Sequence, residues 1–205
     1  MHHREAHHNS RNRSVSKRCM CLASFIVPLL VFCPPAVALE IEGLTFPDHA
    51  EVNGQQLQLN GAGLRSKFFV SVYVGGLYIP NRSSAVDEIL DMPGAKRVAM
   101  QFIYDEISAT KIRDAWLEGF TENNSEQDMS DFQTKIEAFN NLWPTLKAGD
   151  TAWVDYLPGK GTQITLNNTI LGIVEGEKFN QAVLRIWLGD NPVDSDLKAG
   201  MLKTE

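Results

Sequence analysis

From Leu59 to Ile79 the chain reads Leu59-Asn-Gly-Ala-Gly-Leu-Arg65-Ser-Lys-Phe-Phe-Val-Ser-Val-Tyr73-Val-Gly-Gly-Leu-Tyr-Ile79, and few folds accommodate such a run. Valine, phenylalanine and tyrosine at this density suit a pleated, mostly buried strand and disfavour a helix. Gly61 and Gly63 signal a turn, or a place where another backbone approaches closely. The reading is a Gly-rich turn that delivers Arg65 into a long strand from Lys67 to Ile79. A guanidinium at the mouth of a buried strand needs an anion, supplied by the protein itself or by a ligand.

The remaining elements follow from spacing. Short strands are expected near Glu40–Thr45 and Gln55–Asn60, and a helix from the N-cap residue Ser83 to Asp91. Pro93-Gly94 then breaks the chain before a strand over Lys96–Tyr104. Ser108–Glu122 places Ile112, Ala115, Trp116 and Gly119 on one helical side. A polar break at Asn123–Gln127 precedes a helix over Ser130–Leu142. Strands at Thr151–Tyr156, Thr162–Leu166 and Thr169–Val174 are joined by Pro158-Gly159-Lys160-Gly161 and Asn167-Asn168, both hairpin signals. A helix over Lys178–Leu188 carries Phe179, Val183, Ile186 and Trp187 on one face, with a short tail helix after Pro192. Partly segregated strands and helices predict an α+β fold, an antiparallel sheet backed by helices on one face.

Residues 1–38 have the form of a signal peptide. Arg4, Arg11, Arg13, Lys17 and Arg18 make a basic start, Met20–Cys33 an apolar stretch, and Ala36-Val37-Ala38 a small-x-small cleavage site. Pro28 and Pro34-Pro35 argue against an uncleaved membrane anchor. The expectation is cleavage after Ala38, a periplasmic or secreted protein, no stable membrane span after cleavage, and one domain over residues 39–205. All three cysteines and four of five histidines lie in the leader, so the remaining chain has no thiol and only His49. Disulfides, Cys or His metal sites and Ser-His or Cys-His machinery are thereby excluded, and no cofactor or metal is expected. Fourteen lysines and arginines against twenty-four carboxylates give residues 39–205 a net charge of −10, which argues against nucleic acid and against anionic lipid surfaces.

Other candidates have plain readings. Arg65 has the alternative of pairing with a buried carboxylate such as Asp155 or capping a helix end. Tyr73, Tyr78 and the four tryptophans read as core aromatics. Adjacent Asp105 and Glu106 on a strand would point to opposite faces, so they do not share acid/base work.

The order Gly61-Ala-Gly-Leu-Arg65, Val72-Tyr-Val-Gly-Gly-Leu-Tyr-Ile79, Lys147-Ala-Gly-Asp150, Asp155-Tyr-Leu-Pro158 and Phe179-Asn-Gln-Ala-Val-Leu-Arg-Ile-Trp-Leu-Gly189 resembles the chalcone isomerase-like family, in its bacterial exported branch. The resemblance covers nearly all of residues 39–205. It implies an open-faced β-sandwich whose large sheet is backed by helices, with a cleft between them. In the plant enzymes of that family an arginine after the Gly-rich turn, a threonine on the next strand, and a tyrosine and an asparagine at a helix start assist the closure of chalcones. Arg65 matches the arginine and Tyr73 falls at the threonine, whereas Ser108 and Ala115 fall at the tyrosine and asparagine. Most of the polar catalytic set is therefore missing.

Non-catalytic relatives bind fatty acids with an equivalent arginine and a tyrosine on the following strand, and the pair Arg65 and Tyr73 resembles that set. On one uninterrupted strand, however, eight residues would hold the two about 26 Å apart. They share a pocket only if Ser66-Lys67 makes a turn or bulge. Three functions stay open: a non-enzymatic binder of a fatty acid or other lipophilic carboxylate beside Arg65, an isomerase or intramolecular lyase acting on an enone-like substrate, and a protein-interaction module without a small ligand.

Overall fold

The structure, a computed structural model, describes residues 38–203. The leader, with its cysteines and proposed cleavage signal, lies outside the described residues apart from Ala38. Strands β1 (Ala38–Ile41) and β2 (Leu44–Pro47) form a separate hairpin about Glu42-Gly43. The single strand expected at Glu40–Thr45 is thus two, because Gly43 with φ of +73° reverses the chain. The main sheet takes β3 (His49–Val52), β4 (Gln55–Lys67), β5 (Val70–Ile79) and β6 (Lys96–Phe102). After a small pair, β7 (Glu106–Ile107) with β8 (Leu146–Lys147), it continues with β9 (Thr151–Leu157), β10 (Gly161–Leu166) and β11 (Thr169–Val174). The order is β11-β10-β9-β6-β5-β4-β3, antiparallel throughout.

Among the described residues six helices join the strands: α1 (Val86–Asp91), α2 (Ala109–Asn123), α3 (Glu126–Asp131), α4 (Gln133–Asn141), α5 (Glu177–Leu188) and α6 (Ser195–Met201). The polar stretch expected as a break holds α3, because the Ser125 hydroxyl accepts from the Asp128 amide and starts a helical turn. Trp116, Phe120, Phe139, Phe179 and Trp187 from the helices pack with Leu77, Val98, Met100 and Val154 from the sheet in one core. This is the helix-backed α+β architecture expected. The opposite face is not bare, since Phe46 of β2 sits against Gly76 and joins Leu57, Leu59, Val74 and Tyr78 in a second core. On that face Arg97 donates to both Asp155 carboxylate oxygens, at 2.6 and 2.7 Å, and lies over the Trp153 ring. Among the described residues no helix is long and apolar enough to cross a membrane.

The Gly-rich segment is no turn. Gly61 and Gly63 lie inside β4, and the reversal comes later, at Phe68-Phe69. The glycines serve the other purpose that a missing Cβ allows. A Cβ on Gly61 would run into the Gly200 carbonyl oxygen, and one on Gly63 would stand 3.0 Å from Leu197 Cα, so α6 lies directly on the strand. A single methyl group there must push a backbone aside rather than a flexible side chain. Gly61→Ala is expected to lower stability by about 1–3 kcal/mol, read from the urea midpoint. An unchanged midpoint would mean that α6 does not seat on β4 in solution.

Candidate functional site

A one-residue irregularity decides where Arg65 points. Leu57 and Leu59 face the second core, and alternation alone would send 61, 63 and 65 the same way. The pairing of β4 with β5 slips between Leu59 and Gly61, leaving Asn60 without a partner across the ladder. Every later odd-numbered residue of β4 therefore turns to the helix side. Asn60 itself is held by three hydrogen bonds. Its amide nitrogen donates to the Ser83 and Met201 carbonyls at 2.9 and 2.8 Å, and its side-chain oxygen accepts from the Ser83 amide at 2.9 Å.

The hairpin turn brings the chain straight back, so that Arg65 and Tyr73 are cross-strand partners. They share a face at roughly 5 Å between Cβ atoms rather than the 26 Å of a single strand. The arginine lies over the tyrosine ring, with Cζ 5.5 Å from its centroid. A second slip, between Arg65 and Ser66, leaves Val72 bulged on β5, and Val72 and Tyr73 consequently both line the same space.

That space is a cavity of about 530 Å³ between the sheet and α2, within the range of roughly 300–1,000 Å³ common to small-molecule sites. Its floor is apolar and buried, with Met100, Phe102, Ile112, Trp116, Trp143 and Leu146. Its rim is exposed and charged, with Lys67 of β4 facing Lys111, Asp114 and Glu118 of α2, and a Lys67–Glu118 contact of 3.8 Å crosses it. Arg65 stands between the two zones. Among the described residues it has no ion pair, and its Nε is buried with no hydrogen-bond partner. The alternative partner Asp155 is taken by Arg97 on the opposite face of the sheet.

Tyr73 is 6% exposed and packs on Phe102 at 5.4 Å. Its hydroxyl oxygen accepts a 2.9 Å hydrogen bond from Trp187 Nε1. Burial pushes the phenol above the ordinary tyrosine value of 10.0, against the pull of the Arg65 charge and the Trp187 hydrogen bond, while Asp194 adds to the rise. The hydroxyl thus keeps its proton at neutral pH. Tyr73→Phe is expected to cost about 1–3 kcal/mol of stability, because it strands the buried Trp187 donor while the ring packing survives. A urea titration that finds no loss would mean that this hydrogen bond does not form.

Ser108 and Ala115 do not supply a catalytic pair. The Ser108 hydroxyl accepts from the Lys111 amide at 3.4 Å as the N-cap of α2, and Ala115 presents a methyl group to the cavity. Trp116, Trp143 and Trp187 are buried core residues, as the sequence reading expects, and they also shape the site. Trp187 orients Tyr73, and Trp143, tilted at 34° against Trp116 with ring centroids 5.0 Å apart, lines the cavity with a buried Nε1 that has no hydrogen-bond partner among the described residues. A contact between residues 114 apart in the chain leaves no local signal in sequence. Among the described residues no cluster of three or more His, Cys, Asp or Glu is placed to hold a metal ion.

Comparison with known proteins places this architecture. No curated protein sequence matches the chain. A crystal structure of a fatty-acid binding protein from Arabidopsis thaliana has the same fold, with a TM-score of 0.67 at 17% identity over 81% of this chain and 96% of that one. The family model described as chalcone isomerase-like matches residues 38–203, which is the whole of the fold described above. The chain belongs to the chalcone isomerase-like family.

Proposed function

We propose that this protein is a non-catalytic binder of a fatty acid or another lipophilic carboxylate, held in the cavity beside Arg65. The observation that carries this reading is the buried, unpartnered Nε of Arg65 at the edge of an apolar cavity. A guanidinium offers a carboxylate paired, charge-assisted donors, and the neutral Tyr73 hydroxyl adds a third donor without adding charge. The floor behind them suits a hydrocarbon chain. The fold shared with a plant fatty-acid binding protein supports a lipid ligand. The methyl of Ala115 on the cavity wall and the capping role of Ser108 argue against acid/base chemistry, which needs positioned polar groups there. A cavity filled by side chains would have favoured the module without a ligand, and this one is open.

Export belongs to the same proposal. The basic start, apolar stretch and Ala36-Val37-Ala38 support cleavage after Ala38, delivery to a periplasm or to the medium, and membership of the family's exported bacterial branch. Intact mass of the protein from the envelope fraction tests it: a chain beginning at Leu39 is expected, and one retaining residues 1–38 would overturn it.

The binding test uses the leader-free protein. Solvent extraction followed by mass spectrometry is expected to release lipophilic acids. A brominated fatty acid is expected to quench tryptophan fluorescence saturably, because Trp116 and Trp143 line the cavity. No extracted acid together with no quenching would overturn the reading. Turnover of an enone would replace it with the isomerase.

A further inference from the structure

The turn between β4 and β5 runs against both local preference and the hydrophobic effect. Lys67 pairs with Val70, so the loop is two residues long, and Phe68 and Phe69 both have positive φ, +52° and +66°. This is the left-handed geometry of a type I′ turn, which favours Asn-Gly and strains a bulky residue at either position. Neither ring is buried in return. Phe68 is 85% exposed and Phe69 105%, the two most exposed large hydrophobic residues among those described. Nothing within the folded chain accounts for two phenylalanines here.

Their position does. Phe68 borders the mouth of the cavity, together with Val70 and Tyr104, which are 44% and 42% exposed. Across that mouth Lys67 and Lys111 stand with Asp114 and Glu118, a balanced set on a chain of net charge −10 over residues 39–205. Elsewhere the surface is acidic and repels anionic lipid. A charge-balanced rim around an aromatic tip matches a zwitterionic headgroup layer, where aromatic rings insert and both signs of charge find partners.

We infer that the Phe68-Phe69 tip inserts into a zwitterionic lipid surface and sets the cavity mouth against it, so that a lipophilic acid passes between bilayer and cavity without crossing water. The passage of the acid rests on the function proposed above; the docking of the tip does not.

Flotation with phosphatidylcholine vesicles reads the docking directly. Wild type is expected to float. Phe69→Gly, which removes the more exposed ring, relieves the positive φ and leaves the cavity lining in place, is expected to lose about tenfold in vesicle affinity, the scale of one phenylalanine kept in water. Its melting temperature should be equal or higher, and Phe69→Trp should restore flotation. Stopped-flow transfer of an anthroyloxy fatty acid from vesicles is expected to rise with vesicle concentration for wild type and to become independent of it for Phe69→Gly. Affinity for decanoic acid in buffer should be the same for both proteins. Wild type that does not float, or Phe69→Gly that floats and extracts as well as wild type, overturns the inference. Flotation that depends on Phe69 without any acid bound in buffer overturns the proposed function and leaves the docking standing.

Discussion

Arg65→Met is expected to weaken binding of a long-chain carboxylic acid by about 30-fold or more while the protein stays folded. Removing one partner from a desolvated charge pair costs about 2–5 kcal/mol, which is 30-fold at the lower end. Methionine keeps an unbranched stem of similar length, so the ring of Tyr73 beneath the guanidinium stays covered. Stability should not fall, since among the described residues the guanidinium has no carboxylate to lose and its buried Nε is unpartnered. The acid dependence separates this account from a loss of shape. On the proposed function wild type is expected to bind the carboxylate form, so its affinity should fall as pH drops below the ordinary carboxylic acid value of about 4.3. For Arg65→Met the affinity should be nearly flat over the same range, because the apolar floor takes the protonated acid as well as the ionised one. Isothermal titration at pH 7 and pH 4 reads both. Equal affinities of the two proteins at pH 7 would show that the carboxylate lies elsewhere.

The sequence carried the architecture because most of its signals are local. Hairpins at Gly159 and Asn167-Asn168, the Ser108 cap and the apolar periodicity of α5 all lie within a few residues of what they determine. What stayed hidden depends on strand partners. Phe68-Phe69 has no turn signature in composition, so the hairpin that joins Arg65 to Tyr73 reads as continuous strand. Gly61 and Gly63 announce either positive φ or close approach, and only the position of α6 selects the second. Asp155 offers itself to Arg65 by composition alone, and the register of β6 against β9 gives it to Arg97 instead. Fold, family and the pair Arg65 and Tyr73 are therefore legible from one chain, whereas the geometry that joins the pair, built on two slipped registers and an unsignalled turn, is not.

Removal of the Asn60 side chain is expected to have the larger effect on stability. Asn60→Ala leaves the amide and carbonyl of Ser83 and the carbonyl of Met201 without their partner, at roughly 1–3 kcal/mol for each one buried. Ser83 is only half buried and water recovers part of its loss, so the net is about 3–5 kcal/mol, a large share of a domain's total stability. The C-terminal end of α6 should loosen first, since Met201 is tied to the sheet through this side chain. Hydrogen exchange is expected to speed up across α6 and at Ser83 before it does so in β9 or β10. Deleting Asn60 asks a different question. Without the extra residue Leu59 runs straight into Gly61, in unbroken register with Tyr78 and Leu77, and ordinary alternation still turns Gly61, Gly63 and Arg65 to the helix side. A chain that still folds should then keep the seat of α6 and the cation of the cavity while losing the ties to Ser83 and Met201. Exchange in Asn60→Ala as slow as in wild type would show that these ties do not hold α6, and a folded deletion variant that no longer binds acid would show that the facing of Arg65 is not set by alternation from Leu59.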